Sequence, residues 1–350
     1  MTESGTRRKK GPTLATVAAA AGVSVATVSK VLNGRSDVAV STRAVVQEAL
    51  RQQDYVAPTG GPRRPGRSAL PSVELAFDGE LHVYSSEIVQ GVVDAASDAG
   101  VAVVLSIRTG GPRNTEPERP VAWARRLAAA GRTAVIAVTP ELSAAHLDAL
   151  ERAKVVLVVV DPLNLPRADV TSVGSTNFAG GFEAARHLLR LGHRRIGYVG
   201  GTATAACNQA RMAGFRAAAE AEGFVVPSCL ITSGRFVYED GIAGGAVLLD
   251  QPERPTAIFA GSDEMALGVI EAARSRGLRV PQDLSLVGFD DTQLARMASP
   301  PLTTIRQPLW EMGGVALRTA MRLAAGESIE SHHVELATQL VIRRSTSPVP

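Results

Sequence analysis

Hydrophobic residues follow two different patterns along the chain. In the first region, residues 13–57, they recur at helical spacing in short stretches, which predict helices at Leu14–Ala20, Val25–Leu32 and Thr42–Gln53. Thr13 and Ser24 stand directly before the first two helices, where an N-cap side chain is needed. The first region is therefore expected to be all-α.

The second region, residues 73–344, alternates short apolar runs with amphipathic stretches such as Phe178–Leu191 and Met212–Glu222. This alternation predicts α/β structure: two doubly wound subdomains, each a parallel sheet covered by helices on both faces. In such folds small ligands bind beyond the carboxyl ends of the strands. The predicted strands include Val73–Phe77, Val101–Ile107, Thr133–Val138, Val155–Val160, Arg195–Val199, Ala257–Ala260 and Ser285–Phe289.

The segment between these regions, residues 58–72, is rich in proline, glycine and arginine. Residues 58–67 alone contain three prolines and three glycines, a composition that disfavours a helix and predicts a linker. Residues 1–12 are predicted to be a basic tail, and residues 345–350 a C-terminal tail.

Charge is distributed unevenly. Residues 1–67 carry eleven basic and four acidic side chains, a net charge of +7, whereas the remainder carries −4. A basic head on a mildly acidic body is typical of a phosphate-binding module joined to a domain that does not bind nucleic acid. No apolar stretch suits a membrane span or a signal peptide, and Cys207 and Cys229 lack metal-ligand spacing. We therefore expect a cytoplasmic, nucleoid-associated protein with reduced, buried thiols.

The second predicted helix has a surface suited to DNA. Gly22 gives the backbone freedom for a tight turn before it, and helical spacing leaves Val25, Ala26, Ser29 and Lys30 facing outward. Small, hydroxyl and basic residues at a helix N-terminus are able to enter a major groove. A three-helix protein-interaction module is the alternative.

The segment from Thr13 to Val56, with its core GVSVATVSKVLNG, resembles the helix-turn-helix head of the LacI family of transcription regulators. Lys30 stands where many members carry arginine, so it reaches guanine without a bidentate fork. The resemblance implies base contacts from Val25, Ala26 and Lys30, and backbone contacts from Ser24, Thr27, Ser29 and Asn33.

Two features depart from the family pattern. Ala39 replaces the usual serine cap of the third helix, at a cost of about 1 kcal/mol unless Ser41 caps a later start. The family's hinge helix is replaced by the Pro/Gly segment, and the place of its minor-groove leucine falls on Arg64. Arg63, Arg64 and Arg67 form either an arm that follows the minor groove or phosphates, or part of a passive spacer.

The second region resembles the family's effector domain, which has the type I periplasmic-binding-protein fold. The motifs that carry this resemblance are LGHRRIG (191–197), RMAGF (211–215), PTAIFAGSDEMALG (255–268), VGFDD (287–291) and PPLTTIRQP (300–308). By family position the implied ligand-binding residues are Asp161, Arg211, Phe236, Ser262 or Asp263, Asp290 and Gln307. Asp78 and Tyr84, which flank the exit of the first strand, are expected to complete the pocket.

Several residues have alternative roles. Asp263 either caps the following helix or contacts the ligand, Asp291 is interpreted as a cap, and Arg211 either faces the pocket or forms a surface ion pair. His193 is interpreted as structural. His332 and His333 are adjacent in or beside a strand and point to opposite faces, so joint metal binding is not expected.

Together these features predict a non-enzymatic, ligand-responsive repressor. It is expected to bind a pseudo-palindromic double-stranded DNA operator as a homodimer, with no cofactor and no membrane partner. A small polar effector, interpreted as a sugar, would shift the two lobes and so change DNA affinity. The alternatives are a solute-binding protein, which needs an export signal, and an enzyme, for which no cofactor fingerprint or catalytic set is found.

Overall fold

The computed structural model describes residues 13–32, 35, 37–53, 55, 71–109 and 118–349. The chain forms two compact units, Met1–Leu70 and Pro71–Pro350. Asn33, Arg63, Arg64 and Arg67 lie outside the described residues.

The first unit contains three helices: α1 (Leu14–Ala21), α2 (Val25–Leu32) and α3 (Val40–Gln52). Thr13 and Thr16 cap α1 reciprocally, and Gly22 ends it in the left-handed conformation at φ 66°. Valines and alanines from all three helices form the small core. The start of α3 is two residues earlier than predicted; Ala39 precedes it without a side-chain cap, and Ser41 lies inside the helix instead of capping it.

The second unit contains twelve strands and nine α-helices in its described part. The strands are β1 (Ser72–Asp78), β2 (Ala102–Thr109), β3 (Ala134–Val138), β4 (Val156–Val160), β5 (Thr171–Ser175), β6 (Ile196–Gly200), β7 (Ile231–Ser233), β8 (Ala257–Ala260), β9 (Ser285–Asp290), β10 (Thr303–Arg306), β11 (His333–Leu336) and β12 (Gln339–Val341). The helices are α4 (Val83–Ala99), α5 (Pro120–Ala129), α6 (Ala144–Arg152), α7 (Asn177–Arg190), α8 (Ala206–Ala221), α9 (Tyr238–Leu249), α10 (Asp263–Arg274), α11 (Gln293–Met297) and α12 (Leu309–Ala324).

The strands form two six-stranded sheets, ordered β11-β5-β4-β3-β1-β2 and β12-β10-β9-β8-β6-β7. All strand pairs are parallel except β10 with β12. The first sheet with α4–α6 and α12 makes the first lobe, and the second sheet with α7–α11 makes the second. The chain crosses between lobes after β5, β10 and β11. The predicted α/β class with two doubly wound subdomains is confirmed.

The helices α7 and α8 approach each other closely at two glycines. A Cβ built on Gly181 lies 2.1 Å from the Arg211 carbonyl oxygen, and one built on Gly214 lies 2.0 Å from the Phe178 carbonyl oxygen. Any side chain at either position would push the helices apart. The two glycines therefore fix α8 against α7 at the start of the second lobe.

The last described residues are not a free tail, contrary to the prediction for residues 345–350. Ser345 is fully buried; its hydroxyl donates to the Leu286 carbonyl at 2.6 Å and accepts from the Thr303 amide at 2.8 Å. The Ser347 amide donates to the Ser285 hydroxyl. These bonds join residues 345–347 to β9 and β10, so the second lobe extends beyond the predicted boundary.

The histidines and cysteines have structural surroundings. His193 is buried, and its ring contacts the Thr256 hydroxyl at 2.9 Å and the Ser347 carbonyl at 3.0 Å, as a structural role requires. His332 and His333 contact hydroxyls of Thr171 and Ser172. The expectation of two buried thiols is not met, because Cys229 is exposed and Cys207 is half-buried.

No single helix among the described residues is both long enough and apolar enough to cross a membrane. The pair α1 and α2 meets the criterion jointly by length and composition alone, and is bent by 103°.

Candidate operator and effector sites

The described residues predicted to contact DNA run along α2, from Ser24, which precedes it, to Lys30 in its last turn. Ser24, Val25, Ala26 and Lys30 are exposed, whereas Thr27 and Ser29 are half-buried. The Ser24 hydroxyl accepts a hydrogen bond from the Thr27 amide at 3.1 Å and therefore caps the helix. A capped helix N-terminus that presents small side chains is able to approach DNA bases and phosphates closely.

Lys30 has a partner within the head. Its Nζ lies 2.8 Å from Asp37 Oδ2, and this contact lowers the pKa of Asp37 below its usual range. The two side chains are 52% and 56% exposed. An ion pair so open to water is weak, so Lys30 is able to exchange Asp37 for a DNA partner at little cost.

The second unit contains a cleft of about 1080 Å³ at the carboxyl ends of the strands, with walls from both lobes. Seven of the nine predicted ligand-binding residues line it: Asp78, Tyr84, Asp161, Arg211, Phe236, Ser262 and Asp290. Asp263 and Gln307 are not on its wall.

Arg211 is held rigidly in the cleft beside Asp161 and Asp290, and these three residues form its inner cluster. Its Nε donates to Asn177 Oδ1 at 2.7 Å, its Nη1 donates to the Gly261 carbonyl at 2.6 Å, and its guanidinium lies 3.8 Å from the Phe289 ring centre. The residue is 3% exposed, so it is not the surface ion pair considered as an alternative. Stacking and hydrogen bonds together orient a planar donor group toward the cleft.

Two carboxylates, one from each lobe, accompany Arg211. Asp161 follows β4 in the first lobe and accepts a hydrogen bond from the Tyr84 hydroxyl at 2.6 Å. Asp290 ends β9 in the second lobe; its Oδ1 lies 3.9 Å from Arg211 Nη1 and accepts from Gln307 at 2.7 Å. Both aspartates have positive φ, 44° and 112°, a strained conformation that clusters at functional sites.

Burial changes the acid–base properties of these groups. It raises the pKa of Asp161, and it raises the pKa of Asp290 to about 7, although Arg211 opposes both shifts. Burial and the adjacent Asp161 also raise the pKa of Tyr84, so its hydroxyl stays protonated. Both carboxyl groups therefore hold a proton more readily than they would in water, and each accepts hydrogen bonds from a ligand most strongly once it is ionised.

Asp263 and Gln307 are not on the cleft wall and hydrogen-bond to other protein groups. Their prediction as ligand contacts is therefore corrected. Asp263 is fully buried and accepts hydrogen bonds from the Thr292 amide, the Thr292 hydroxyl and the Thr304 hydroxyl. Gln307 links Ser175 of β5 to Asp290. Each side chain is engaged by protein groups, so neither reaches the cleft.

Two predicted helix caps also differ from the structure. Ser262, not Asp263, caps α10, because its hydroxyl accepts from the Met265 amide at 3.1 Å while the residue also lines the cleft. Asp291 is not a cap; its buried carboxylate pairs with Arg306 at 2.7 Å and Arg343 at 2.6 Å.

The first-lobe wall of the cleft contains residues that the sequence analysis missed. Arg108 donates to Asp78 through Nε at 2.7 Å and Nη2 at 3.1 Å, and its guanidinium lies 4.3 Å from the Trp123 ring centre. Glu141 and His146 line the same wall. Arg108 follows the apolar run Val101–Ile107, the placement after a strand that singled out Asp78 and Asp161, and could have been found by that signal.

These two units, a helix-turn-helix head and a two-lobed domain with a ligand-sized cleft, define a ligand-binding transcription regulator. Residues 13–57 match the bacterial regulatory proteins of the lacI family, and residues 185–346 match the periplasmic binding protein-like domain. The chain belongs to the LacI family of transcription regulators.

Relatives and solved structures agree along nearly the whole chain. The regulator DegA of Bacillus subtilis is 35% identical over 345 residues, which cover 96% of this chain and 98% of DegA. The complex of the regulator CelR with cellobiose has a TM-score of 0.71 and 31% identity, with 95% and 99% of the two chains covered. The lac repressor dimer bound to operator and the anti-inducer ONPF has a TM-score of 0.72 and 27% identity, with 97% and 100% covered. The predicted class, a non-enzymatic transcription regulator, is confirmed.

Proposed function

We propose that this regulator represses transcription by binding a pseudo-palindromic operator as a homodimer in the cytoplasm, and that a sugar in the cleft controls its operator affinity. The proposal is supported by two similar structures, the lac repressor dimer on its operator and CelR with cellobiose. The head would contact DNA bases through Val25, Ala26 and Lys30, and the DNA backbone through Ser24, Thr27, Ser29 and Asn33.

Control of operator affinity by a ligand is supported by one observation: both lobes contribute residues to the inner cluster. Asp161 belongs to the first lobe, whereas Arg211 and Asp290 belong to the second, and all three line one cleft. A ligand that bonds to both carboxylates fits only one spacing of the lobes. Its binding therefore favours that arrangement over others, which is the differential affinity that allosteric control needs.

The same residues favour a sugar as the effector. Hydroxyl groups donate to carboxylates such as Asp161 and Asp290 and accept from a guanidinium such as Arg211. Phe236, half-buried on the cleft wall, offers an aromatic face for the C–H side of a sugar ring. Acceptors, a donor and an aromatic face thus occur together in the inner cleft.

The test has two stages, both with the full-length protein. Binding sites are first selected from a random DNA pool, and fluorescence anisotropy at fixed salt compares a selected site with random DNA. We expect the selected site to bind at least ~1,000-fold more tightly. Equal affinity for both DNAs would contradict operator recognition.

In the second stage, neutral mono- and disaccharides are added to the protein–DNA complex. We expect at least one to change operator affinity by about fivefold or more, the usual size of an allosteric coupling. Transcription in vitro from a promoter that carries the selected site should fall when the protein is added. An increase in transcript would reject repression while leaving effector control intact.

A further inference from the structure

One acidic side chain lies beside the residue of the head that is proposed to contact a base. Residues 4–47 contain seven basic side chains and a single acidic one, Asp37, which pairs with Lys30. A negative charge close to phosphates opposes the binding of every DNA sequence. Asp37 therefore favours binding only where it meets a hydrogen-bond donor, and in the grooves of DNA such donors belong to bases.

Asp37 has a defined place next to the end of α2. The Arg35 amide donates to the Lys30 carbonyl at 3.0 Å, and Arg43 Nη2 donates to the Arg35 carbonyl. On the other side of Asp37, Val38 packs against the core of the first unit. The chain is thus anchored before and after Asp37, and the carboxylate lies 2.8 Å from Lys30 Nζ although it is 56% exposed.

Lys30 and Asp37 can keep their contact when DNA binds. A lysine ammonium has three N–H donors and a carboxylate accepts several hydrogen bonds, so each group retains capacity for a base. Lys30 lowers the pKa of Asp37 below its usual range, so the carboxylate is ionised at pH 7 and acts as an acceptor only. The pair therefore presents a donor and an acceptor side by side.

Adjacent donor and acceptor groups match the major-groove edge of a G·C pair. Guanine offers the acceptors N7 and O6 to Lys30, and its partner cytosine offers the N4 amino donor to Asp37. In C·G and in A·T, the base that faces Asp37 presents an acceptor instead, O6 of guanine or O4 of thymine. T·A keeps an acceptor for Lys30 and an amino donor for Asp37. Asp37 is therefore complementary to two of the four base pairs and repels the other two.

We propose that Asp37 is a specificity-determining residue of the head, which with Lys30 reads both bases of one G·C pair in each half-site. Lys30 donates to guanine, and Asp37 accepts from cytosine on the opposite strand. This inference rests on the proposed base contact of Lys30 and adds to it a residue outside α2. The main effect of Asp37 is to reject C·G and A·T at that base pair, because its charge faces an acceptor there.

The experiment is competition fluorescence anisotropy of the full-length protein at fixed salt. The competitors are a selected operator and variants that carry each of the four base pairs at each position of one half-site. We expect Asp37→Ala to reduce the preference for G·C over C·G and A·T about tenfold at one position, the size of a base contact, and to leave the preference over T·A unchanged. Affinity for random DNA should not fall. A uniform change in affinity for all competitors would overturn the inference, because it would show that the charge of Asp37 acts on phosphates alone.

Two further variants sharpen the test. Glu48→Ala removes a carboxylate of similar exposure, 53%, that pairs with Arg51 on α3, and should change no base preference. Lys30→Ala should relax the same base pair as Asp37→Ala, and relaxation at different base pairs would overturn the shared reading. If Lys30→Ala relaxes one base pair and Asp37→Ala relaxes none, the inference fails and the proposed base contact of Lys30 stands. If Lys30→Ala relaxes no base pair, that proposed contact fails as well.

Discussion

The head and the cleft each contain an ion pair, and the two pairs have opposite surroundings. Lys30 and Asp37 approach to 2.8 Å but are more than half exposed. Arg211 and Asp290 are 3.9 Å apart, with side chains only 4% and 7% exposed. Water and salt screen the closer pair, whereas burial strengthens the attraction within the more distant pair and at the same time disfavours the charge of Asp290, whose pKa rises to about 7.

This difference in exposure implies that DNA binding and ligand binding respond to different solution conditions. Exposed charge in the head makes DNA binding sensitive to salt, because bound counterions are released from DNA. Buried charge in the cleft makes ligand binding sensitive to pH, because burial moves the pKa of Asp290 to about 7. Salt should therefore act mainly on the head and pH mainly on the cleft.

The largest expected effect comes from Arg211→Ala. Removing one partner of a buried, hydrogen-bonded charge costs ~2–5 kcal/mol, so sugar affinity should fall about 100-fold or more while operator affinity without sugar is retained. Calorimetry and DNA anisotropy measure the two affinities. Arg216→Ala, an exposed arginine on the same helix, is the matched control and should change neither. Unchanged sugar affinity in Arg211→Ala would remove this residue from the site.

Lys30→Ala tests the exposed pair. If Lys30 contacts a base, its loss should cost ~1–3 kcal/mol of operator affinity and relax preference at one base pair per half-site. Competition against single-base operator variants measures both quantities. Arg51→Ala, at the far end of α3, serves as the control. An equal loss of affinity for operator and random DNA would show that Lys30 contacts only phosphate.

Asp290 should make sugar binding depend on pH. Because its pKa is about 7 in the free protein and sugar hydroxyls favour the ionised carboxylate, affinity should rise about tenfold between about pH 6 and pH 8, with release of a proton. The raised pKa also means that the folded state holds this proton more tightly than the unfolded state. Its stabilising contribution is complete below the unfolded pKa of about 3.9 and is lost as the pH rises through about 7.

Calorimetry in buffers of different ionisation enthalpy measures the released proton. Asp290→Asn should abolish both the proton release and the pH dependence. If the variant keeps the wild-type pH profile, the titrating group is elsewhere, with Asp161 the first candidate because its pKa is also raised by burial.

The smallest expected effect concerns Arg63, Arg64 and Arg67. If they contact phosphates, replacing all three with glutamine should lower the slope of log K against log salt by about 0.9 for each lost contact. Sites with A·T-rich centres should be weakened most if the minor groove is involved. The matched control is Arg7, Arg8 and Lys9 changed to glutamine, which removes the same charge from the N-terminal tail. An unchanged slope and centre preference would leave the segment as a spacer.

The sequence predicted the architecture well, because apolar periodicity directly reflects buried faces. The predicted strand Val155–Val160 corresponds to β4, and the predicted helix Val25–Leu32 corresponds to α2. Short strands such as β7 and β11 have half-buried or exposed residues and lack a strong apolar signal. Their positions depend on pairing with distant strands, which no local pattern contains.

Within the candidate site, motif positions identified the inner cluster but did not distinguish it from the residues that support it. Gln307 and Asp263 occupy motif positions, yet Asp290, Thr292 and Thr304 engage them, and only three-dimensional packing reveals this. Arg108 and His146 belong to no motif. The distinction between contacting the ligand and supporting a contact is therefore the part that sequence reasoning could not make.

Ser262 both caps α10 and lines the cleft, and if it contacts the effector, the cap limits which residues can replace it. Its oxygen accepts a hydrogen bond from the Met265 amide and so caps α10, and a serine hydroxyl that accepts one hydrogen bond is also able to donate another. A substitution that adapts this position to a new effector must also keep a capping oxygen, or lose ~1 kcal/mol of stability. Serine, threonine, asparagine and aspartate meet that condition. Evolution of effector choice at this position is thus confined to a short list of residues set by a helix end rather than by the ligand.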